Sequence, residues 1–246
     1  MRALLALAGV LMAGSVHAAE ISILSGGAVE PGLMAAVENY RRQGHAVKVS
    51  FATAPMIRQR IVAGTIVDVV IAPPAVTDQF VARGLLSDVK AMIGRVGVGV
   101  AVRAGAERPA IADAQAFEAS VLAAGSLVFN QASTGIYLDS LFQKMGLAER
   151  IKAKTTRYPD GAAVLEHVIA GKGSEIGFGA ITEILLYKDK GLVFVGPLPP
   201  ALQNYTRYVA AVMRNAPNAR EADALVAYFG SADGKAAFAS GGVEGE

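Results

Sequence analysis

The chain has no cysteine, so no disulfide framework holds it together. It has three histidines, His17, His45 and His167, each isolated from the others and from any acidic group at ligand spacing. No transition-metal site and no cofactor is therefore expected. Charge is sparse at 18% of residues, with 23 basic against 21 acidic side chains and no long basic run, and nucleic acid is not an expected partner. There is no Walker-type loop and no Gly-x-Gly-x-x-Gly; Gly97-Val98-Gly99 falls inside an apolar strand pattern and reads as a packing feature. Neither Ser25 nor Ser133 has the Gly-x-Ser-x-Gly surroundings of a hydrolase nucleophile, and no histidine is placed to serve one. Beyond the N-terminal segment no apolar run is long enough to cross a bilayer.

What is present is a core-rich chain of 246 residues, 53% hydrophobic and with 27 glycines, enough for one large or two modest domains. Arg2, the apolar run Ala3–Ala13 and the small-x-small stretch Val16-His17-Ala18 have the form of a cleavable export signal over residues 1–18. This predicts a mature protein that starts at Ala19 and resides in the periplasm.

Strand and helix patterns then alternate. Ile21–Leu24 is a strand, and Pro31–Arg42 carries a helical stripe of Leu33, Met34, Val37 and Tyr40 that Gly44 ends. Val47–Phe51 alternates as a strand before a helix over Met56–Ala63. Val67–Ala72 is a continuous apolar run bounded by Pro73-Pro74, the pattern of a buried parallel strand, and Thr77–Arg83 is a short helix. Strands are expected at Val96–Arg103, Ser126–Asn130, Thr155–Tyr158, Ile176–Phe178, Leu192–Pro197 and Tyr205–Met213. Between them lie helices at Asp113–Ala123, Ile136–Lys144, Ala162–Ala170 and Thr182–Lys188, with Asn218–Phe229 and Asp233–Ser240 at the end. Such alternation argues an α/β fold with mainly parallel sheets. If the strands at Val96–Arg103 and Thr206–Met213 both cross between lobes, residues 19–98 and 209–246 form lobe one, residues 99–208 form lobe two, and a cleft separates them. A single doubly wound domain fits the same periodicity.

Small and hydroxylated residues recur where strands give way to helices: Ser25-Gly26-Gly27, Thr53-Ala54-Pro55, Ser133-Thr134-Gly135 and Asp160-Gly161-Ala162. Amides at a helix start are orphan donors in a positive dipole field, and glycine lets a ligand approach the backbone closely. In open α/β sheets ligands bind outside the carboxyl ends of the strands. The candidate cradle for a small anion is therefore Ser25, Gly26, Gly27, Ala54, Pro55, Ser133, Thr134, Gly135, Asp160 and Gly161. Tyr137 is placed to offer a hydroxyl, and Arg58 to meet a carboxylate bidentately. Glu30 and Asp160 are proton acceptors if desolvated, though helix-start carboxylates commonly serve as caps.

From Ile21 to Gly242 the chain resembles the periplasmic solute-binding proteins of the molybdate-binding type, two-lobed components of ABC importers. The resemblance rests on Ser25-Gly26-Gly27, Val49-Ser50-Phe51-Ala52, Asp68-Val69-Val70-Ile71-Ala72 and, most specifically, Ala132-Ser133-Thr134-Gly135-Ile136-Tyr137, with Gly177-Phe178-Gly179 at the next junction. It implies a monomer that captures a small anion between lobes and hands it to an inner-membrane permease. Molybdate binders of this type hold the oxyanion with serine hydroxyls from the first two junctions and a tyrosine from the last. Here Ala28, Thr53-Ala54-Pro55 and Ala180 stand at those places, which favours a carboxylate over a metal oxyanion. The Ser25-Gly26-Gly27 turn, the Ala54-Pro55 turn, Val100-Ala101-Val102-Arg103 and Ser133–Leu138 are also similar to exported aconitate isomerases, enzymes on the same scaffold. That second resemblance implies a proton-shifting reaction on a small unsaturated tricarboxylate; the resemblance carries over no catalytic position, and among the residues of this chain Asp160 or Glu30 is the candidate base and Arg58 the candidate carboxylate support.

Overall fold

A computed structural model of the chain describes residues 19–245, and the expected export signal lies outside the described residues. In chain order the elements are β1 (Glu20–Gly26), α1 (Glu30–Arg41), β2 (Ala46–Ala52), α2 (Ala54–Val62), β3 (Val69–Ala72), α3 (Pro74–Ala82) and β4 (Leu86–Arg103). There follow α4 (Ala114–Ala123), β5 (Ser126–Asn130), α5 (Ser133–Lys144), α6 (Ala148–Ile151), β6 (Thr155–Tyr158), α7 (Gly161–Ala170), β7 (Glu175–Ala180) and α8 (Ile181–Leu185). The chain closes with β8 (Leu192–Pro197), β9 (Tyr205–Met213), α9 (Ala219–Gly230) and α10 (Ala232–Ser240).

The strands form one curled sheet in the order β2-β1-β3-β9-β4-β7-β5-β6, with β8 also paired to β4. The outer portions, β2-β1-β3 and β7-β5-β6, are parallel. Antiparallel pairing is confined to the joins made by β4, β8 and β9. Strand β4 carries the sheet from one half to the other: it pairs with β9 as far as Gly97, then with β7 from Val98.

Each half is covered on both faces, which is why its strands read as near-continuous apolar runs. In the first half Ile21, Ile23, Val69, Ile71, Ala210 and Val212 face α1, α9 and α10. Their immediate neighbours Leu24, Val70, Ala72, Ala211 and Met213 face α2 and α3, the period-two alternation of a pleated strand. In the second half Leu127, Phe129, Ile176 and Phe178 pack under α4 and α5, while Ala101 and Val128 pack under α7 and α8. Phe117, Phe129, Phe142 and Phe178 form an aromatic knot with centroids 5.9–6.3 Å apart, largely edge-on, the arrangement ring quadrupoles favour.

Several sequence expectations shift. The helices expected at Pro31, Met56 and Thr77 begin instead at Glu30, Ala54 and Pro74, so that each proline stands in the first helical positions, where its missing N–H costs nothing. The strand expected at Val96–Arg103 begins ten residues earlier, at Leu86. Its first half is interrupted by register shifts between Leu86 and Lys90 and between Met92 and Gly94, and such bulges destroy the alternation by which a strand is read. The helix expected over Thr182–Lys188 is reduced to the short α8, followed by a 3₁₀ turn at Lys188–Lys190.

Candidate functional site

The carboxyl ends of the parallel strands from both halves converge on a cavity of about 240 Å³. From the first half it is lined by Gly26, Gly27, Ala28 and Glu30 after β1, by Phe51–Ala54 and Met56 around the start of α2, and by Pro73 after β3. The second half contributes Asn130 and Ala132–Thr134 at the start of α5, Asp160–Ala162 at the start of α7, and Ala180 and Glu183 at α8. Tyr208, from β9, completes the lining. First-turn amides have no acceptor within their own helix, so the starts of α2, α5 and α7 bring donors and the positive ends of dipoles to one space.

The local hydrogen bonding shows how those turns are held. The Asn130 Oδ1 accepts the Ala132 and Gly135 N–H groups at 3.0 and 3.1 Å, clamping the start of α5 to the end of β5. Asp160 caps α7, its Oδ1 accepting the Ala163 N–H at 3.0 Å. No lysine or arginine is among the residues that line the cavity, whereas three carboxylates are: Glu30, Asp160 and Glu183.

Glu183 has the most perturbed environment of the three. Its carboxyl lies where side chains on two glycines would start: Oε1 is 3.0 Å from the Cβ position of Gly27, and Oε2 is 2.2 Å from that of Gly161. As a residue it is half-buried because one side borders the cleft, but its carboxyl is set deep among protein atoms. That desolvation, with Asp160 and Glu30 nearby, pushes its pKa up to about 7, while the Ala180 backbone N–H pulls the other way. Burial also raises the Glu30 carboxyl above its ordinary value, opposed by Lys190. The Tyr208 ring packs against Gly26, and burial followed by the Glu183 charge pushes its hydroxyl well above the usual phenol range.

Of the residues expected from the sequence, Gly26, Gly27, Glu30, Ala54, Ser133, Thr134, Asp160, Gly161 and Ala180 are brought together in the lining. Five are not. Ser25 is fully buried and its hydroxyl donates to the Gly26 carbonyl at 3.1 Å. Pro55 and Arg58 are exposed on α2, outside the cleft. Gly135 packs onto β5, where a Cβ would stand 1.7 Å from the Asn130 carbonyl oxygen. Tyr137 turns its hydroxyl away to the Leu202 carbonyl at 2.7 Å. Asp160 lines the cavity but is engaged as a helix cap.

Sequence reasoning missed Asn130, Glu183 and Tyr208. Glu183 stands three residues after Ala180, the spacing at which an N3 carboxylate reaches back to a helix start, and this was the available signal. Tyr208 lies within a uniform β-favouring run and carried none.

The sequence profile of the bacterial extracellular solute-binding proteins matches residues 21–244. An aconitate isomerase from a Pseudomonas species is 28% identical over 233 residues, spanning 91% of this chain and 87% of that protein. The fold is similar to the periplasmic molybdate-binding protein of Azotobacter vinelandii, at 15% identity and a TM-score of 0.73 over 90% of this chain and 97% of that one. It is similar also to the sulfate-binding protein SubI of Mycobacterium tuberculosis, at 16% identity and a TM-score of 0.74 over 91% and 85% of the two chains.

Proposed function

The chain belongs to the bacterial extracellular solute-binding proteins, and on that premise we propose that it captures a small carboxylate-bearing solute in this cleft for delivery to an ABC-type permease in the inner membrane. The carrying observation is the lining itself: helix starts from both halves of the sheet meet there, and no cationic side chain accompanies them. Anion recognition then falls to backbone N–H groups, with Thr53, Ser133 and Thr134 as hydroxyl donors. A tetrahedral dianion such as molybdate has to enter beside Glu30, Asp160 and Glu183 without a neutralising cation, whereas a carboxylate-bearing solute spreads its charge along a longer, partly apolar body that Phe51, Met56 and Pro73 accommodate.

Residues 19–98 with 209–246, and residues 99–208, act in this reading as two lobes that close on the solute. The pivot lies where β4 changes partners between Gly97 and Val98. Closure gives the solute contacts to both lobes, the differential interaction that stabilises the closed state. In the same reading residues 1–18 serve as an export signal, and the mature protein works in the periplasm as a monomer.

The test is thermal unfolding against molybdate, sulfate and a panel of di- and tricarboxylates. At a hundredfold excess over Kd a bound ligand adds about 2.7 kcal/mol of stability, so one carboxylate is expected to raise Tm by several degrees. Stabilisation by molybdate alone refutes the carboxylate assignment, and no shift with any anion refutes the binding site.

One observation favours a second reading, isomerisation of a polycarboxylate. A carboxyl whose pKa is about 7 is suited to give and take a proton at neutral pH, and Glu183 is such a group at the cavity wall. Glu183 replaces Asp160 and Glu30 as the candidate base, and Arg58 lies too far out to support the substrate. Incubation with trans-aconitate, followed by chromatography for the cis isomer, decides it: no conversion at high protein concentration leaves binding alone.

A further inference from the structure

Resting on the reading of the cleft as an anion site, we infer that capture of an anionic solute there is coupled to the uptake of one proton by Glu183. A carboxylate of the protein itself already lies at the strand–helix turns that line the cleft. The Glu183 carboxyl reaches across from α8 and lies against Gly27, at the turn after β1, and against Gly161, the first residue of α7. A Cβ at Gly161 would stand 2.2 Å from Oε2, so the carboxyl keeps this place only against glycine there, and one at Gly27 would stand 3.0 Å from Oε1, a tight contact. The donor-rich wall of the cleft thus carries a carboxylate of its own, from the part of the molecule where both halves meet.

The groups around Glu183 give it little compensation. Glu30 from α1 and Asp160 from the α7 cap both act on it as like charges. Tyr208 from β9 and Tyr187, just after α8, face it as neutral phenols whose own ionisation it opposes. The nearby cation is Lys190, and its effect is felt at Glu30. A solute anion entering this space meets three carboxylates, and one of them has to lose its charge for the anion to settle among them. Asp160 is committed to the Ala163 N–H. Glu183, whose carboxyl stands near half-ionised at neutral pH, is the group that gives way. On protonation it sheds the repelling charge and acquires an O–H donor for the solute oxygen.

The linkage has a definite sign. A site that must take up a proton on binding has constant affinity below the pKa of the free group and loses tenfold in affinity per pH unit above it. Affinity is therefore flat below about pH 7 and falls above it. A ligand that binds without touching Glu183 shows no such break.

The experiment uses tricarballylate, the saturated analogue of aconitate, which has no double bond to shift. Its affinity for the wild-type protein and for Glu183→Gln is measured by calorimetry between pH 6 and 8.5. Comparison of the two proteins cancels the titration of the ligand itself. The expected result is a wild-type affinity that falls about tenfold per unit above pH 7, against a Glu183→Gln affinity that shows no such break between pH 6 and 8.5. Parallel pH curves for the two proteins overturn the coupling while leaving the anion site intact. Absence of tricarballylate binding at pH 6, where Glu183 is protonated, overturns the anion-site reading and the coupling with it. Should the variant fail to fold, the wild type alone answers. Titrations at pH 8 in buffers of different ionisation enthalpy are expected to show uptake of nearly one proton per ligand, and uptake near zero overturns the coupling.

Discussion

Removing the Asp68 carboxylate is expected to destabilise the protein severely without altering its cleft. Asp68 is 1% exposed and precedes β3 at the end of the sheet opposite the cavity. Its oxygens accept the Ser22 N–H and hydroxyl, both at 2.7 Å, the Asn218 N–H at 2.8 Å and the Asn218 side-chain amide at 3.3 Å. The carboxylate thereby ties β1, β3 and the start of α9 together. Asp68→Ala leaves the partly buried Ser22 and Asn218 N–H groups without their acceptor, at about 1–3 kcal/mol each, for a loss of about 2–6 kcal/mol. At about 2–4 °C per kcal/mol for a chain of this size, a central loss of about 4 kcal/mol lowers Tm by about 8–16 °C. Burial pushes the Asp68 pKa up, but the hydrogen bonds from Ser22 and Asn218 outweigh it and hold the carboxyl below its ordinary value. A depressed carboxyl pKa contributes stability above the unfolded-state pKa and loses it as pH falls through the folded one. The gap between wild type and Asp68→Ala is therefore full at pH 6 and narrows towards pH 3. Urea denaturation across that range measures the gap, and ligand affinity at pH 7 is expected to match wild type. A loss under about 1 kcal/mol at pH 6, or a gap that does not narrow in acid, refutes the reasoning.

Three further substitutions probe the site. Gly135→Ala drives a Cβ to 1.7 Å from the Asn130 carbonyl oxygen; the overpacking costs about 1–3 kcal/mol or more, and displacement of Ser133 and Thr134 weakens ligand binding, read by thermal unfolding and calorimetry. Tyr137→Phe removes the bond to the Leu202 carbonyl, costing about 1 kcal/mol in urea denaturation while leaving affinity unchanged, because that hydroxyl points away from the cleft. Glu183→Gln tests the titration of the unliganded protein. With the folded pKa near 7, above the ordinary 4.5, the native state binds the extra proton, so the Glu183 contribution to stability declines as pH rises from about 4.5 to 7 and is flat beyond. The variant is expected to match wild type at pH 4.5 and to exceed it by up to about 3 kcal/mol above pH 7.

Where strands are covered on both faces, as in Val69–Ala72 and Ser126–Asn130, apolar continuity alone located them within two residues. Strand β4 escaped over its first ten residues because bulges and charged residues such as Asp88, Lys90 and Arg95 break both the apolar run and the alternation. The site divides in the same way. Its small-residue turns were visible because glycine, proline and hydroxyl residues mark helix starts chemically. Ser25, Arg58 and Tyr137 stand one or a few residues from genuine lining positions, and the direction of a side chain at a turn depends on backbone dihedrals that residue type does not dictate.

The sequence by itself determined the alternating α/β class, the buried strands and the glycine-bearing turns that stack donors at strand ends, because each follows from local periodicity and the conformational range of single residues. Only the tertiary structure decided the character of the cleft. Glu30, Asp160, Glu183 and Tyr208 come from four separate elements, and they share a space only because β4 and β9 bring the two halves of the sheet face to face. Desolvation and the repulsion of like charges are properties of that shared space. They turn an ordinary-looking Glu183 into a group that titrates at neutral pH, in a cavity whose lining carries three carboxylates and no lysine or arginine.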